Sequence, residues 1–205
     1  MLGLEMRESE NTNVRFERWL KQIIEELVYA TCHFRVWEQL WPSTEDIARV
    51  ENVYINFFQL TRIAHNNQLF LHINKILDRR KDSINIWRLF GVIEENPDLL
   101  EQKIDIRAIK DRLNTKKEVY ERLKVYRNKK LAHIDEEYHT SEDLRKRTKV
   151  FLGEMREILN DLADIITEIS AAYSGAIPSF ETVGIDDTTR LLKTLLDINE
   201  RGKRS

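Results

Sequence analysis

Six glycines and three prolines are all that punctuate this chain of 205 residues. Chains built from short strands and tight turns need those two residues repeatedly, for positive φ and for a pre-set φ. Their scarcity predicts long helices joined by few loops. The apolar residues agree, recurring every three or four positions. Phe16, Trp19, Leu20, Ile23, Ile24, Leu27, Thr31, Phe34 and Trp37 form one wide stripe between about Val14 and Leu40. Trp41-Pro42 ends it, because proline disfavours helical geometry in the residue before it. A second helix, capped by Ser43 or Thr44, presents Ile47, Val50, Tyr54, Phe57, Phe58 and Thr61 and reaches Ala64. The polar run His65-Asn66-Asn67-Gln68 either interrupts this helix or continues it as a polar patch.

Asp78 to Ser83 reads as a charged connector, followed by a short helix carrying Ile84, Trp87, Leu89, Phe90 and Ile93. Asn96-Pro97 has the form of an N-cap with proline at the first helical position. A long helix is expected from Asp105 to Lys130, with Ile106, Ile109, Leu113, Tyr120 and Leu123 on one stripe. The last long helix starts near Ser141, carries Leu144, Thr148, Phe151, Met155, Ile158, Leu162, Ile165 and Ile169, and exits at Gly175 and Pro178. A short helix from about Thr188 to Ile198 follows a stretch around Thr182 that is expected to be non-helical. These elements predict an all-α fold, an up-and-down bundle of four long helices with additional short ones. Residues 1–13 form an N-terminal arm, 14–199 a single helical domain, and 200–205 a polar tail expected to fray.

Lys and Arg number 33 against 35 Asp and Glu, for a net charge of −2. That balance excludes a uniformly basic nucleic-acid binder but leaves room for a local patch. The single Cys32 excludes a disulfide framework within the chain and any Cys-x-x-Cys site. Glu5, Arg7, Glu8 and Glu10 interrupt the first residues, unlike the apolar heart of a signal peptide. No run approaches the roughly 18 apolar residues of a membrane span, and a cytoplasmic protein is the expectation. The sequence contains no glycine-rich phosphate loop, no His-Glu-x-x-His and no Gly-x-Ser-x-Gly. No cofactor or metal is expected. His65 and His72 are the exception worth carrying: on one continuous helix they share a face, and with His133 or His139 could ligate a metal. Ordinary hydrogen-bonding histidines at a helix end or in the bundle wall are the far commoner case.

The stretch Tyr126-Arg127-Asn128-Lys129-Lys130-Leu131-Ala132-His133-Ile134-Asp135 concentrates the chemistry. Arg127 takes a position on the helix stripe that has just been apolar, so its guanidinium points toward the bundle or a partner. An arginine there needs an anion or several acceptors to offset its desolvation. Asn128 supplies an amide that both donates and accepts. His133 brings a group that titrates near neutral pH, and Asp135 is near enough in sequence to orient it. The plain alternative is that Arg127 pairs with a carboxylate on a neighbouring helix while His133 caps helix-end carbonyls.

Arg127-Asn128, four residues and His133 resemble the Arg-(Asn/Asp)-x-x-x-x-His signature of the HEPN superfamily of helical ribonucleases and toxins. The extended run from Tyr126 to Asp135 is most similar to the abortive-infection AbiU type. The segment Leu77-Asp78 through Ser83-Ile84-Asn85-Ile86-Trp87-Arg88-Leu89 is similar to the same branch. The resemblance implies a metal-independent endoribonuclease, a toxin or phage-defence effector, working as a homodimer with its two motifs facing one cleft. It implies catalytic roles for Arg127, Asn128 and His133, with RNA as substrate and an antitoxin or other protein as a conceivable partner. A non-catalytic helical module binding a nucleotide, RNA or protein is the alternative.

Charge is distributed in keeping with this. Between Lys116 and Lys149 there are 11 basic and seven acidic side chains, a local surplus of four. Lys129, Lys130, Arg145, Lys146 and Arg147 flank the motif as candidate phosphate contacts. An ordinary solvated helix face is the competing reading. Asp135, Glu136 and Glu137 weaken the patch.

Overall fold

The computed structural model describes residues 11–41, 44–131, 136, 140–180 and 185–201, without the side chains of Arg145 and Ile185. The described residues form an all-α helical bundle. Its helices are α1 (Thr12–Gln39), α2 (Glu45–Val53), α3 (Ile55–Leu77), α4 (Ile86–Glu95), α5 (Ile106–Asn114), α6 (Lys117–Tyr126), α7 (Glu142–Arg147), α8 (Leu152–Ser174) and α9 (Ile185–Arg201). A 3₁₀ turn spans Pro97–Leu99 and a π turn spans Arg127–Leu131.

The longest stripe builds the centre. In α1, Phe16, Trp19, Leu20, Ile23, Leu27, Ala30 and Phe34 are all buried. They pack along α3 and against α4 and α8. Leu69, Phe70, Ile73 and Ile76 of α3, Leu89 and Phe90 of α4, and Met155 to Ile169 of α8 complete one core. Each such side chain contributes about 1.5–3 kcal/mol by leaving water. A smaller second cluster joins Leu40, Val50, Phe58 and Leu192, so α9 closes over α2 and the end of α1.

Helix type follows the sequence closely, but continuity does not. The expected second helix breaks at Tyr54 (φ −117°, ψ 38°). The break turns Val50 inward and leaves Tyr54 and Phe57 exposed, against the expected stripe. Arg62 fixes the joint, reaching Glu51 Oε2 at 2.5 Å and the Leu40 carbonyl at 3.1 Å. The run His65-Asn66-Asn67-Gln68 continues helically inside α3. Likewise the helix expected from Asp105 divides at Thr115 and Lys116, after the weak helix formers Asn114 and Thr115. The helix expected from Ser141 divides too, because Thr148 to Phe151 leave helical geometry and Phe151 is exposed rather than in the stripe.

The cap expected at Ser43 or Thr44 falls on Thr44, and two of the expected helix starts carry caps as well. Thr44, Asp105 and Ser141 each accept a backbone N–H of the first turn. Asn96 is different: its amide donates to the Val92 carbonyl, and only a 3₁₀ turn follows Pro97. Gly175 ends α8 in the left-handed region (φ 69°), where a side chain would be strained. Glu200 and Arg201 are helical and belong to α9 rather than to a frayed tail. The arm through residue 10, Pro42, Ser43, the stretch at Thr182 and residues 202–205 lie outside the described residues.

Candidate functional site

Arg127 sits where α6 ends and the π turn begins, and its side chain is 22% exposed. Single π turns of this kind are often found at functional positions. Its Nε donates to Asn128 Oδ1 at 2.9 Å and its Nη1 to Asp78 Oδ2 at 3.1 Å. Asp78 is the C-cap residue of α3, with a side chain only 10% exposed. Its Oδ2 also accepts from Arg80 Nε at 2.8 Å, and its Oδ1 from the Arg80 backbone at 3.2 Å. Burial alone would raise the Asp78 carboxyl. The hydrogen bond from Arg127 and the charges of Arg80 and Arg127 outweigh it and hold the group below its ordinary value.

The connector that carries Asp78 is built rather than loose. Asn85, fully buried, donates to the carbonyls of Arg80 (2.9 Å) and Ser83 (3.0 Å) while its Oδ1 accepts from the Arg88 backbone (3.0 Å). Trp87 Nε1 holds the Leu77 carbonyl at 3.0 Å, and the Arg79 guanidinium lies 4.0 Å from the Trp87 ring centre. Arg88 adds a bond to the Ser83 carbonyl and covers Trp19. The resemblance of Leu77 through Leu89 thus acquires a physical content: those residues fix the carboxylate that fixes Arg127.

Two cavities meet at this pair. One, of about 510 Å³, is lined by Glu26, Lys75, Asp78, Arg80, Arg127 and Asn128 among others. The other, of about 340 Å³, collects Arg79, Arg80, Lys117, Lys124 and Arg127 against two carboxylates among the described residues, Asp78 and Glu121. A cavity with that balance attracts phosphate. Tyr120 also lines it, with a buried hydroxyl that has no partner among the described residues and a pKa raised by burial and by Asp161.

Other expected residues fall elsewhere. Lys130 Nζ reaches the Tyr126 hydroxyl at 2.6 Å and lies 4.6 Å from that ring's centre. Lys129 lies on the π turn. Lys146 and Arg147 are highly exposed on α7 and pair with Glu142 and Asp143 one turn away, each at 2.8 Å. That is the solvated face of the competing reading, with both of these charges paired locally. His133, Asp135, His139 and the Arg145 side chain lie outside the described residues. The basic residues of the second cavity were missed in the sequence. Their only signal was the charge run of the connector, which gives no clue that Lys117 and Lys124 face it.

His65 and His72 do share continuous α3, as a two-ligand site would need. Their ring nitrogens engage different groups: His65 Nδ1 meets His33 Nδ1 at 2.8 Å, and His72 Nδ1 meets Glu26 Oε2 at 2.6 Å. Among the described residues no group of three His, Cys, Asp or Glu could hold a metal ion. Nor is any described helix long and apolar enough to cross a membrane.

No curated protein and no solved structure matches the chain. The family model described as AbiU2, a HEPN family, matches residues 14–193, which include α2 to α8 and the whole Arg127 site. On that match the chain belongs to the AbiU2 family of HEPN proteins.

Proposed function

We propose that the protein is a metal-independent endoribonuclease of the HEPN type, acting at a cleft shared by two copies of the chain. The observation that carries this reading is the half-buried Arg127, oriented by Asp78 and Asn128 at the mouth of a cavity rich in cations. Arg127 Nη2 has no partner among the described residues, so part of the guanidinium fork is available to a phosphate.

In this reading the ribose 2′-oxygen attacks the adjacent phosphorus while the bond to the 5′-oxygen breaks. The products are a 2′,3′-cyclic phosphate and a 5′-hydroxyl. One proton leaves the 2′-hydroxyl and one reaches the departing oxygen. His133 serves one of these transfers, and the motif of a second copy serves the other. Arg127 stabilises the charge that develops on the phosphoryl oxygens. Lys117, Lys124, Arg79 and Arg80 hold flanking phosphates, a role Lys129, Lys130, Arg145, Lys146 and Arg147 share from outside. Asp135 orients His133. The exposed apolar residues Val53 at the end of α2 and Ile55, Phe57, Leu60 and Ile63 at the start of α3 favour a second copy, since such surface is rarely left bare. A toxin or phage-defence role, in the cytoplasm and under an antitoxin's control, fits the family.

The test is RNA cleavage in the presence of a metal chelator. We expect cyclic-phosphate ends, and a fall of about 100-fold or more in Arg127→Ala and in His133→Ala, both still folded. Equal cleavage by parent and both variants would sink the assignment. Absence of cleavage by a folded dimer, across diverse RNAs, would favour a binding module that uses the same cleft.

A further inference from the structure

We propose that the aromatic cavity beside Tyr126 is a nucleobase subsite, which takes one unstacked base of the RNA strand whose phosphate lies at Arg127. The proposal deepens the ribonuclease reading and rests on RNA being the ligand. The cavity has about 500 Å³, within the range of about 300–1,000 Å³ usual for small-ligand sites. Its walls come from four places: Trp37 and Trp41 at the end of α1, Asn66 and Phe70 in α3, Tyr126 at the end of α6, and residues 148–152.

Three features point to a base. The first is planar surface in reach of solvent: Trp41 is 57% exposed and Phe151 55%, although both are large enough to bury. Trp41 is braced edge-on by Trp37 at 6.1 Å, so its plane is held rather than collapsed. Splayed bases of single-stranded RNA are held on aromatic faces of this kind. The second is Asn66, whose amide has no partner among the described residues and so presents both a donor and an acceptor to a base edge. The third is charge: among the described residues no carboxylate lines the cavity, and Lys149 does, with its ammonium 5.1 Å from the Phe151 ring centre. That suits a ligand carrying phosphate and disfavours a basic peptide.

The cavity exists because the helix predicted from Ser141 is broken. Thr148 to Phe151 leave the helix, and Arg122 of α6 pins the break by binding the Lys149 carbonyl and Glu154. The junction of α6 and the π turn thus presents Arg127 to the basic cavity and the preceding residue, Tyr126, to the aromatic one. A base and its own phosphate are one backbone step apart, which matches neighbouring residues of one helix end.

The test uses the full chain and short 2′-O-methyl oligonucleotides, which lack the attacking hydroxyl and cannot be cut. Binding is measured for each of the four homopolymers and for an abasic strand with the same number of phosphates. We expect the strands with bases to bind at least about fivefold tighter than the abasic strand. That difference should vanish in Trp41→Ala and Phe151→Ala, both of which remove exposed side chains. Asn66→Ala should change the preference among the four bases. Equal binding of abasic and base-bearing strands, or variants indistinguishable from the parent, overturns the proposal even if the protein cleaves RNA. Base-dependent binding by a protein that cleaves nothing upholds the subsite and refutes the ribonuclease reading.

Discussion

Asp78 uses one oxygen for two guanidiniums, those of Arg80 and Arg127, and so converts a flexible arginine into a fixed one. Removing it in Asp78→Ala should lower stability by about 1–3 kcal/mol, less than two full charged bonds because Arg80 is exposed and screened. Chemical denaturation measures this, and RNA cleavage by the same variant should fall with it. The sign with pH follows from the depressed carboxyl: its contribution is present above the ordinary carboxylate range and is lost as pH falls through the folded value. Arg127 and Asn128 were legible in the sequence because they belong to a short motif. Asp78 was not identified as their partner, because 49 residues separate it from Arg127 and only the packing of α3 beside the π turn brings them together. Even so, pairing with a carboxylate was the plain alternative for Arg127, and the pair found is compatible with both readings. A guanidinium can be held by a carboxylate and still offer its remaining hydrogens.

At the scale of elements, the connector between α3 and α4 depends on one side chain. Asn85 caps α4 and ties back two carbonyls from full burial, so Asn85→Ala removes the cap and two buried bonds, leaving the Arg80 carbonyl to the Ser83 hydroxyl and the Ser83 carbonyl to Arg88. We expect a loss of about 2–4 kcal/mol in denaturant unfolding, combining cap and buried bonds. Asn85→Asp, which keeps the capping oxygen but turns a second oxygen toward the two carbonyls, should be no more stable than Asn85→Ala. Helices were legible as helices because 3.6-residue periodicity survives almost everywhere in the chain. Their breaks were not, since a stripe such as Leu113, Tyr120 and Leu123 keeps its phase across Thr115 and Lys116. The breaks are decided by tertiary bonds instead: Arg62 to Glu51 at one, Arg122 to the Lys149 carbonyl at another.

Over the whole molecule, α1 and α3 are joined by a polar ladder set in an otherwise apolar interface. His33 meets His65 and stacks on His72 at 5.5 Å, and Glu26 then links His72 to Lys75. Burial, then the nearness of His65 and His72, push His33 down from 6.5 to about 4, and burial lowers His65 as well. The unfolded chain therefore binds protons near pH 6.5 that the folded chain refuses. Stability should be full above that value and decline as pH falls toward about 4. Denaturant midpoints taken across this range check it, and His33→Gln should flatten the decline. A net charge of −2 had excluded a globally basic protein, and the bundle keeps that balance while bringing five of its cations, Arg79, Arg80, Lys117, Lys124 and Arg127, to one cavity.

The four tryptophans divide among these regions in a way that bears on spectroscopy. Trp19 lies in the core under Arg88, Trp87 under Arg79 at the connector, and Trp37 edge-on to the wet Trp41. The native emission spectrum is therefore a sum of sheltered and solvated indoles placed at three different stations. Replacing one indole at a time would let light report separately on the interior, the carboxylate clamp and the aromatic hollow.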